Sequence, residues 1–541
     1  MNYEIVWYLL LSAFIIRTFR NALHQAFLWQ LKEYRFDRIF AHLKTGQGKK
    51  LFLGPLTLMK WVPLIIYTGL ILWSLFYTLP ESHYWSSIFA ALYYFFWSLW
   101  ILEATLNVKE LFTGGWKLPK FTLKIILILL LVFILQFGTL RNNIQAPLIL
   151  GPILDKILPL SIFLFVILFN FPSLVLKKII IILAKRKISR LNSLKVIGIT
   201  GSYGKTSTKE FLAAILSEKF KVAKTYGFNN TDIGIAKCIL RDLKPEHQIF
   251  VVEMGAYKKG ELKTICDMVK PTMGIITGIN EQHLELFGSL ENTMKAKFEL
   301  VESLPKGGIV ILNGNNYYCL EMGKWAKDKG LKILTFNTDR DIKNIKVFED
   351  HLEFNLTGTN NLIMMHLLGR QAIENVLAAI YASKNLGMTL DEIKRGASKI
   401  VPASNTMQFT GKLSGMTLVD DTFNANPDGV LAVVDYMKIF KGKKILVLTP
   451  LIELGGGAEK IHERLGKETA KVCDLVLLTN YNYHQAIISG AQKVSGETKI
   501  QIANPADGES LIRENVGKDG IVVFEGKESA KLLKKFGNYD V

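Results

Sequence analysis

The stretch Val196-Ile-Gly-Ile-Thr-Gly201-Ser-Tyr-Gly204-Lys205-Thr206-Ser207 constrains this 541-residue chain more than any other. It reads as a strand, a glycine turn and the start of a helix. Amides at such a helix start point at an anion, Lys205 adds positive charge, and the Thr206 hydroxyl can reach Mg2+. The general phosphate-loop pattern asks for glycine five residues before Gly204, where this chain has Ile199; the tighter Thr-Gly-x-x-Gly-Lys-Thr form is met in full. The residues that follow alternate short β-branched runs with helical periodicity, as an α/β sheet requires. Strands are expected at 196–200, 249–253, 274–279, 309–312, 444–448, 474–478 and 521–524. Helices are expected at 205–217, 290–304, 372–385 and 427–438, with a domain boundary near Gly369-Arg370 after a hairpin-like stretch at 347–356.

The first third is of another kind. Apolar runs at 61–79, 84–106, 121–140 and 157–176 each approach the ~20 residues that cross a hydrocarbon core, and a shorter run at 3–16 ends at Arg17. The first 195 residues hold 22 Lys and Arg against 7 Asp and Glu, the rest 44 against 40, so most of the formal +19 flanks the apolar runs. That placement points to a membrane surface rather than nucleic acid. Segments 17–60, 107–120 and 177–195 are rich in Lys and Arg, whereas loops 80–83 and 141–156 are poor. Five spans with the N-terminus outside and everything after Leu176 inside satisfy the positive-inside rule. Residues 21–43 read as an amphipathic helix on the inner leaflet. Glu103 lies near the inner end of its span, and no network of intramembrane charges is visible. No basic segment precedes the first apolar run, so a cleavable signal peptide is not expected. Cys238, Cys266, Cys319 and Cys473 form no CxxC pair, which argues against a zinc ribbon and fits a reducing cytosol.

The tight glycine loop resembles that of the Mur ligase family, and further motifs follow in family order. Gly227-Phe-Asn-Asn230-Thr231-Asp-Ile-Gly234 resembles its substrate-side loop, and Val251-Val-Glu253-Met-Gly255 its Mg2+-binding strand. Gly278-Ile-Asn-Glu-Gln-His283 resembles the metal-binding histidine loop, and Ala296-Lys297 lies where the family carries a carbamylated lysine. Gly369-Arg370 with Asn375 resembles the adenine-contacting helix. Asp420-Asp421-Thr-Phe-Asn424-Ala-Asn426-Pro427 and Leu451-Ile-Glu453-Leu-Gly455 resemble the branch that adds D-alanyl-D-alanine.

This resemblance, over about residues 195–530, implies a membrane helical region (1–190) followed by α/β: a P-loop central ATPase domain (191–369) and a C-terminal Rossmann-like domain (370–541). It implies ATP at Gly201, Ser202, Gly204, Lys205, Thr206 and Ser207, with adenine on Asn375 and ribose on Asp421. Two Mg2+ ions would be held by Thr206, Glu253, His283 and a carbamylated Lys297, an anionic oxygen ligand. Lys205, His283 and Lys297 would carry the chemistry, and Asn230, Thr231, Asn424 and Asn426 would contact substrate. The implied reaction joins an amine such as D-Ala-D-Ala to the carboxylate of a cell-wall peptide precursor, UDP- or lipid-linked, through an acyl phosphate. The enzyme would be integral to the cytoplasmic membrane, with its catalytic domains in the cytoplasm. His462 is expected on a helix face rather than in catalysis. The chain departs from the family at Gln371 and Ala372, where His and Asn are usual. It departs again at Ser404-Asn405-Thr406, in place of Pro-Gly-Arg, and at Glu525-Gly526-Lys527, in place of Lys-Gly-Ser. These departures keep a membrane-tethered nucleotide-binding scaffold as an alternative; a folylpolyglutamate- or cyanophycin-type ligase is the other, and the Asn424-Ala-Asn426-Pro427 run argues against it.

Overall fold

A computed structural model describes residues 3–44, 48–49, 54–76, 83–138, 146–359, 361–494, 498–515 and 517–536. They divide into two compact units, Met1–Lys178 and Ile179–Val541.

The first unit is helical: Tyr3–Leu31, Phe36–Lys44, Pro55–Phe76, His83–Phe112, Leu123–Gly138 and most of Ala146–Ile188. Every expected apolar run falls in one of these helices except Phe121 and Thr122, which precede Leu123–Gly138, with 77–79, 139–140 and loop residues 80–82 and 141–145 outside the described residues. Among the described residues, one segment, Ile153–Ile188, is long and apolar enough to cross a membrane by length and composition. The helix that holds the short run at 3–16 continues past Arg17 to Leu31 and takes in the first half of the expected amphipathic helix. The chain then turns through Glu33 and Tyr34, both at φ 56°, before the helix Phe36–Lys44. Asp155 and Lys156, read as loop, are helical because Ala146–Ile188 runs unbroken for 43 residues.

A charge network also lies inside this unit, contrary to the sequence reading. Arg17, fully buried, bonds Glu103 through Nε at 3.1 Å and pairs with Asp155. Lys60 reaches Glu103 at 2.5 Å and Asp155 at 3.3 Å, and Asn21 donates to the other Glu103 oxygen at 3.1 Å. The four charges come from four different helices, far apart in sequence, which is why no local spacing revealed them. The Arg17 guanidinium also lies 4.7 Å from the centre of the Trp100 ring. Opposed charges of this kind offset one another's desolvation, and deleting one strands the others. Glu103→Leu is expected to destabilise the helical unit by roughly 3–5 kcal/mol, read as a lowered unfolding midpoint.

The second unit begins in the last turns of the helix Ala146–Ile188, whose Ala184 and Ile188 are buried in its core. Its first sheet comprises β1 (Lys195–Thr200), β2 (Val222–Lys224), β3 (Ile249–Glu253), β4 (Met273–Ile276), β5 (Ile309–Asn313) and β6 (Lys332–Phe336), all parallel, in the order β2-β3-β1-β4-β5-β6. The four inner strands β3, β1, β4 and β5 are apolar and almost wholly buried, as a sheet covered on both faces demands. A small antiparallel sheet follows: β7 (Ile342–Val347), β8 (Leu352–Leu356) and β9 (Leu362–Met365). The last sheet contains β10 (Gln408–Leu413), β11 (Met416–Asp421), β12 (Lys444–Leu448), β13 (Leu475–Leu478), β14 (Lys499–Ile502) and β15 (Ile521–Glu525). Its order is β10-β11-β15-β12-β13-β14, parallel except for the β10–β11 edge hairpin.

The expected boundary at Gly369 cuts a core. Ile373, Val376, Leu377 and Ile380 form one face of the helix Ala372–Asn385 and bury against Ile197, Leu212 and Ile215 of the first sheet and its first helix. The same core runs on through Ile393 to Ile400, so the last sheet starts with the hairpin at Gln408. All four cysteines are buried and free.

Candidate active site

The C-terminal ends of β1, β3 and β4 are adjacent, and the chain leaves each of them into a polar turn. After β1, Gly201 (φ 154°) and Gly204 (φ 74°) take backbone conformations that side chains disfavour. A Cβ at Gly201 would collide with the Thr277 hydroxyl, and one at Gly204 with the Asn375 side chain. The helix Lys205–Leu216 thus starts on a left-handed glycine with no side-chain cap. Its first amides have no carbonyl within the helix, which makes them an anion cradle. The Lys205 ammonium folds back onto this cradle, donating to the carbonyls of Gly201 (2.8 Å) and Ser202 (3.0 Å). Burial pushes its pKa down and Glu253 pulls it up. Thr206 and Ser207 are half-buried in the helix's first turn, and Ser202 is buried.

Glu253, 1% exposed, ends β3. Its Oε1 accepts from Asn230 Nδ2 at 2.9 Å, and its Oε2 faces the Lys209 ammonium at 3.3 Å. Lys209 is fully buried and also donates to the Gly227 carbonyl. It lies one helical turn beyond Lys205, a spacing that could have singled it out. Thr231 caps the helix Asp232–Asp242, accepting from Gly234 N–H at 3.2 Å.

His283 follows β4. It sits at φ 60°, and its Nδ1 lies 2.5 Å from Glu453 Oε2. Burial lowers its pKa, the Glu453 contact raises it, and Lys205 and Lys297 lower it further. Lys297, 3% exposed on the helix Leu290–Glu302, lies 5.8 Å from the Phe287 ring. Burial, then Lys205, drive its ammonium far below the usual lysine range. Lys205, Glu253, His283 and Lys297 therefore share one electrostatic neighbourhood, although they come from four separate segments.

The remaining sequence-predicted residues divide. Asn375 is at the loop: its Oδ1 accepts from Thr208 at 3.2 Å and backs Gly204. Asn426 caps the helix Pro427–Met437 and accepts from Asn280 Nδ2 at 2.9 Å; that amide also reaches Asp428 at 2.9 Å. Asn424 is exposed, while its neighbour Phe423 stacks on Phe228 of the 227–234 loop at 3.8 Å. Asp421 is turned into the last sheet. It ends β11 beside Glu525 in register and accepts from Met407 N–H at 3.1 Å. Burial raises its pKa to about 6 and that of Glu525 well above the ordinary value. His462 is fully buried and structural: Nε2 accepts from Leu451 N–H at 2.9 Å and Nδ1 donates to the Ala458 carbonyl at 2.7 Å.

Relatives with known names match this arrangement. The Mur ligase middle domain profile matches residues 199–383, and the Mur ligase, glutamate ligase domain profile matches 407–528. The UDP-N-acetylmuramoyl-tripeptide--D-alanyl-D-alanine ligase of Escherichia coli K12 is 34% identical over 308 residues, 56% of this chain and 67% of that protein. Its Bacillus subtilis 168 counterpart is 28% identical over 354 residues, 65% and 76% of the two chains. A MurF crystal structure from Acinetobacter baumannii superposes with TM-score 0.61 at 26% identity, covering 66% of this chain and 80% of that one. The Thermotoga maritima MurF ligase in complex with ADP gives 0.58 at 25%, covering 66% and 83%. The chain belongs to the Mur ligase family, in its MurF-type branch. This Mur ligase is an ATP-dependent peptide ligase.

At the ligase's three departures other contacts stand. Gln371 Nε2 donates to the Leu368 carbonyl at 3.4 Å, Asn405 (φ 59°) donates to Asp420 at 2.7 Å, and Lys527 is exposed. The Asp421–Glu525 pair makes stability depend on pH with a definite sign. Both pKa values are raised on folding, so the folded state holds extra proton above about pH 4, and the pair's contribution falls as pH rises through about 6 and beyond. Glu525→Gln should stabilise the ligase at about pH 8 and far less at about pH 5. Thermal unfolding at the two pH values measures it.

Proposed function

We propose that this Mur ligase joins D-Ala-D-Ala, or a closely similar amine, to the carboxylate of a cell-wall peptide precursor. The observation that carries this reading is the convergence of Lys205, Glu253, His283 and Lys297 on the uncapped helix start after β1. Among the described residues no three His, Cys, Asp or Glu side chains converge as a self-sufficient metal site. Mg2+ fits such a place, because it takes one or two protein ligands and completes its shell with phosphate and water oxygens. Thr206 and Glu253 would hold one ion, and His283 with a carbamylated Lys297 a second. Bound there, Mg2+ supplies charge neutralisation for the phosphoryl group in transfer.

The acceptor's carboxylate oxygen bonds to the γ-phosphorus of ATP as the bond to the β-bridging oxygen breaks, and ADP leaves. The dipeptide's amine nitrogen then bonds to the carbonyl carbon, phosphate departs, and the extra proton on nitrogen passes to solvent. Lys205 holds the phosphates in line by exchanging its two loop carbonyls for phosphate oxygens. Lys209 holds the Glu253 carboxylate aligned. Burial drives the Lys297 pKa well below the usual lysine range, which favours the neutral amine, the form that adds CO2. Asn375 would meet adenine from beside the loop, and Asn230, Thr231, Asn424 and Asn426 would contact acceptor and amine. Ribose recognition by Asp421 would require that side chain to leave Glu525.

The helical unit favours an acceptor held at the cytoplasmic membrane, lipid-linked rather than UDP-linked, with the catalytic unit in the cytoplasm. The test is ADP release by the purified chain with D-Ala-D-Ala and a panel of soluble and lipid-linked precursors. Turnover with lipid-linked precursors alone supports the membrane reading; equal turnover with UDP-linked ones removes it. Lys205→Ala should lower turnover on the order of a thousandfold, and no effect would sink the ligase site. Stripping CO2 and bicarbonate should lower the unaltered enzyme's rate reversibly, and Lys297→Ala should be slow and indifferent to bicarbonate.

A further inference from the structure

Glu453 has no role in the site described so far, yet the chain is strained to deliver it. It follows β12 in the turn Leu451 to Gly455, and it takes φ 65°, a left-handed conformation rare outside glycine. The turn around it is fixed: Leu451 and Leu454 are each 3% exposed, and Leu451 N–H is bound by His462. His462 in turn stacks on Tyr483 at 4.3 Å. The Glu453 carbonyl accepts Glu285 N–H at 3.1 Å, just past His283. Two strained residues, His283 and Glu453, thus meet side chain to side chain at 2.5 Å, with Tyr257 edge-on to the imidazole at 5.0 Å.

A carboxylate on one imidazole nitrogen fixes the tautomer, holds the ring, and reserves the other nitrogen's lone pair for a cation. We propose that Glu453 is the positioning residue for His283: it keeps the proton on Nδ1 and holds Nε2 as the nitrogen that binds the divalent cation. Glu453 comes from the last sheet and His283 from the first, so the cation site is complete only while those two sheets are docked through this contact. This inference rests on the metal reading of His283 given above.

The test is Mn2+ binding to the full chain, followed by electron paramagnetic resonance with a non-hydrolysable ATP analogue, for Glu453→Gln, Glu453→Gly, His283→Ala and the double variant His283→Ala with Glu453→Gln. Glu453→Gln should weaken the second Mn2+ by about 10- to 100-fold while nucleotide affinity stays unchanged. Glu453→Gly, which relieves the left-handed strain, should keep or raise the unfolding midpoint and still lose Mn2+ affinity, so that a loss cannot be ascribed to misfolding. The double variant should bind no worse than His283→Ala alone. If His283→Ala weakens Mn2+ binding and Glu453→Gln does not, the positioning role is overturned and the metal reading stands. If His283→Ala leaves both Mn2+ ions in place, the metal reading falls, and this inference with it.

Discussion

The turn from Gly201 to Gly204 is the constraint on which the catalytic unit is built. It lets the backbone of one strand end press against the Thr277 hydroxyl and the Asn375 side chain without a Cβ between them. Thr277 fastens the other side, donating to the Tyr203 carbonyl, and Ser202 N–H is held by the Gly278 carbonyl at 2.7 Å. Three segments distant in sequence are therefore locked around a helix start whose amides remain for a ligand. A methyl group at either glycine would push the loop off its neighbours, and the cradle would widen before any catalytic side chain had changed.

Charge is distributed around that cradle to suit an anionic guest. Burial lowers the pKa of Lys205, Lys297 and His283, and Lys205 lowers the last two further; Glu253, itself shared with Lys209, opposes the shift at Lys205, Glu261 at Lys297 and Glu453 at His283. Such a site holds its cations at a cost in solvation that a triphosphate would repay through charge-assisted hydrogen bonds. The helical unit handles buried charge differently. There Arg17 and Lys60 are matched by Glu103 and Asp155, so the group is neutral as a whole and needs no guest. Equal burial thus has opposite meanings in the two units: excess positive charge marks a binding place, and balanced charge marks a joint between helices.

What the sequence made legible was whatever depends on local chemistry. β3 and β12, the helix Ala372–Asn385 and the glycine turn lie where periodicity and composition put them, because each is specified by its own residues. The short edge strands β2 and β14 escaped notice: a strand with one neighbour can be short and half-exposed, and it carries no long apolar run. The β10–β11 hairpin escaped for another reason, since its second strand ends in Asp420 and Asp421, residues that read as a polar motif rather than as strand. The boundary at Gly369 was misplaced because the helix after it is amphipathic, and periodicity tells that a face is buried, not in which core. Within the site, Lys205, Glu253, His283 and Lys297 were found from motif order. Lys209, which contacts Glu253, Asn280, which contacts Asn426, and Glu525, which lies beside Asp421, were not, because each contact joins segments far apart in the chain.

The contacts between the first and last sheets bring out a difference between finding a residue and knowing its work. Asn424 and Asn426 belong to the same short motif, yet Asn426 is spent on a helix cap and on Asn280, while Asn424 stays exposed. The stack of Phe423 on Phe228 and the bond from His283 to Glu453 fasten the same two sheets at two further points. In this arrangement the residues that would receive the amine and those that would hold the phosphates are joined by side chains rather than by the chain's own continuity. A ligase must bring an amine to an activated carboxyl group while water is kept out, and side-chain clasps of this size can open and close without unfolding either sheet. The motif of the last sheet is thus a fastening, and it is Asn426 and Phe423, not Asn424, that join it to the first sheet.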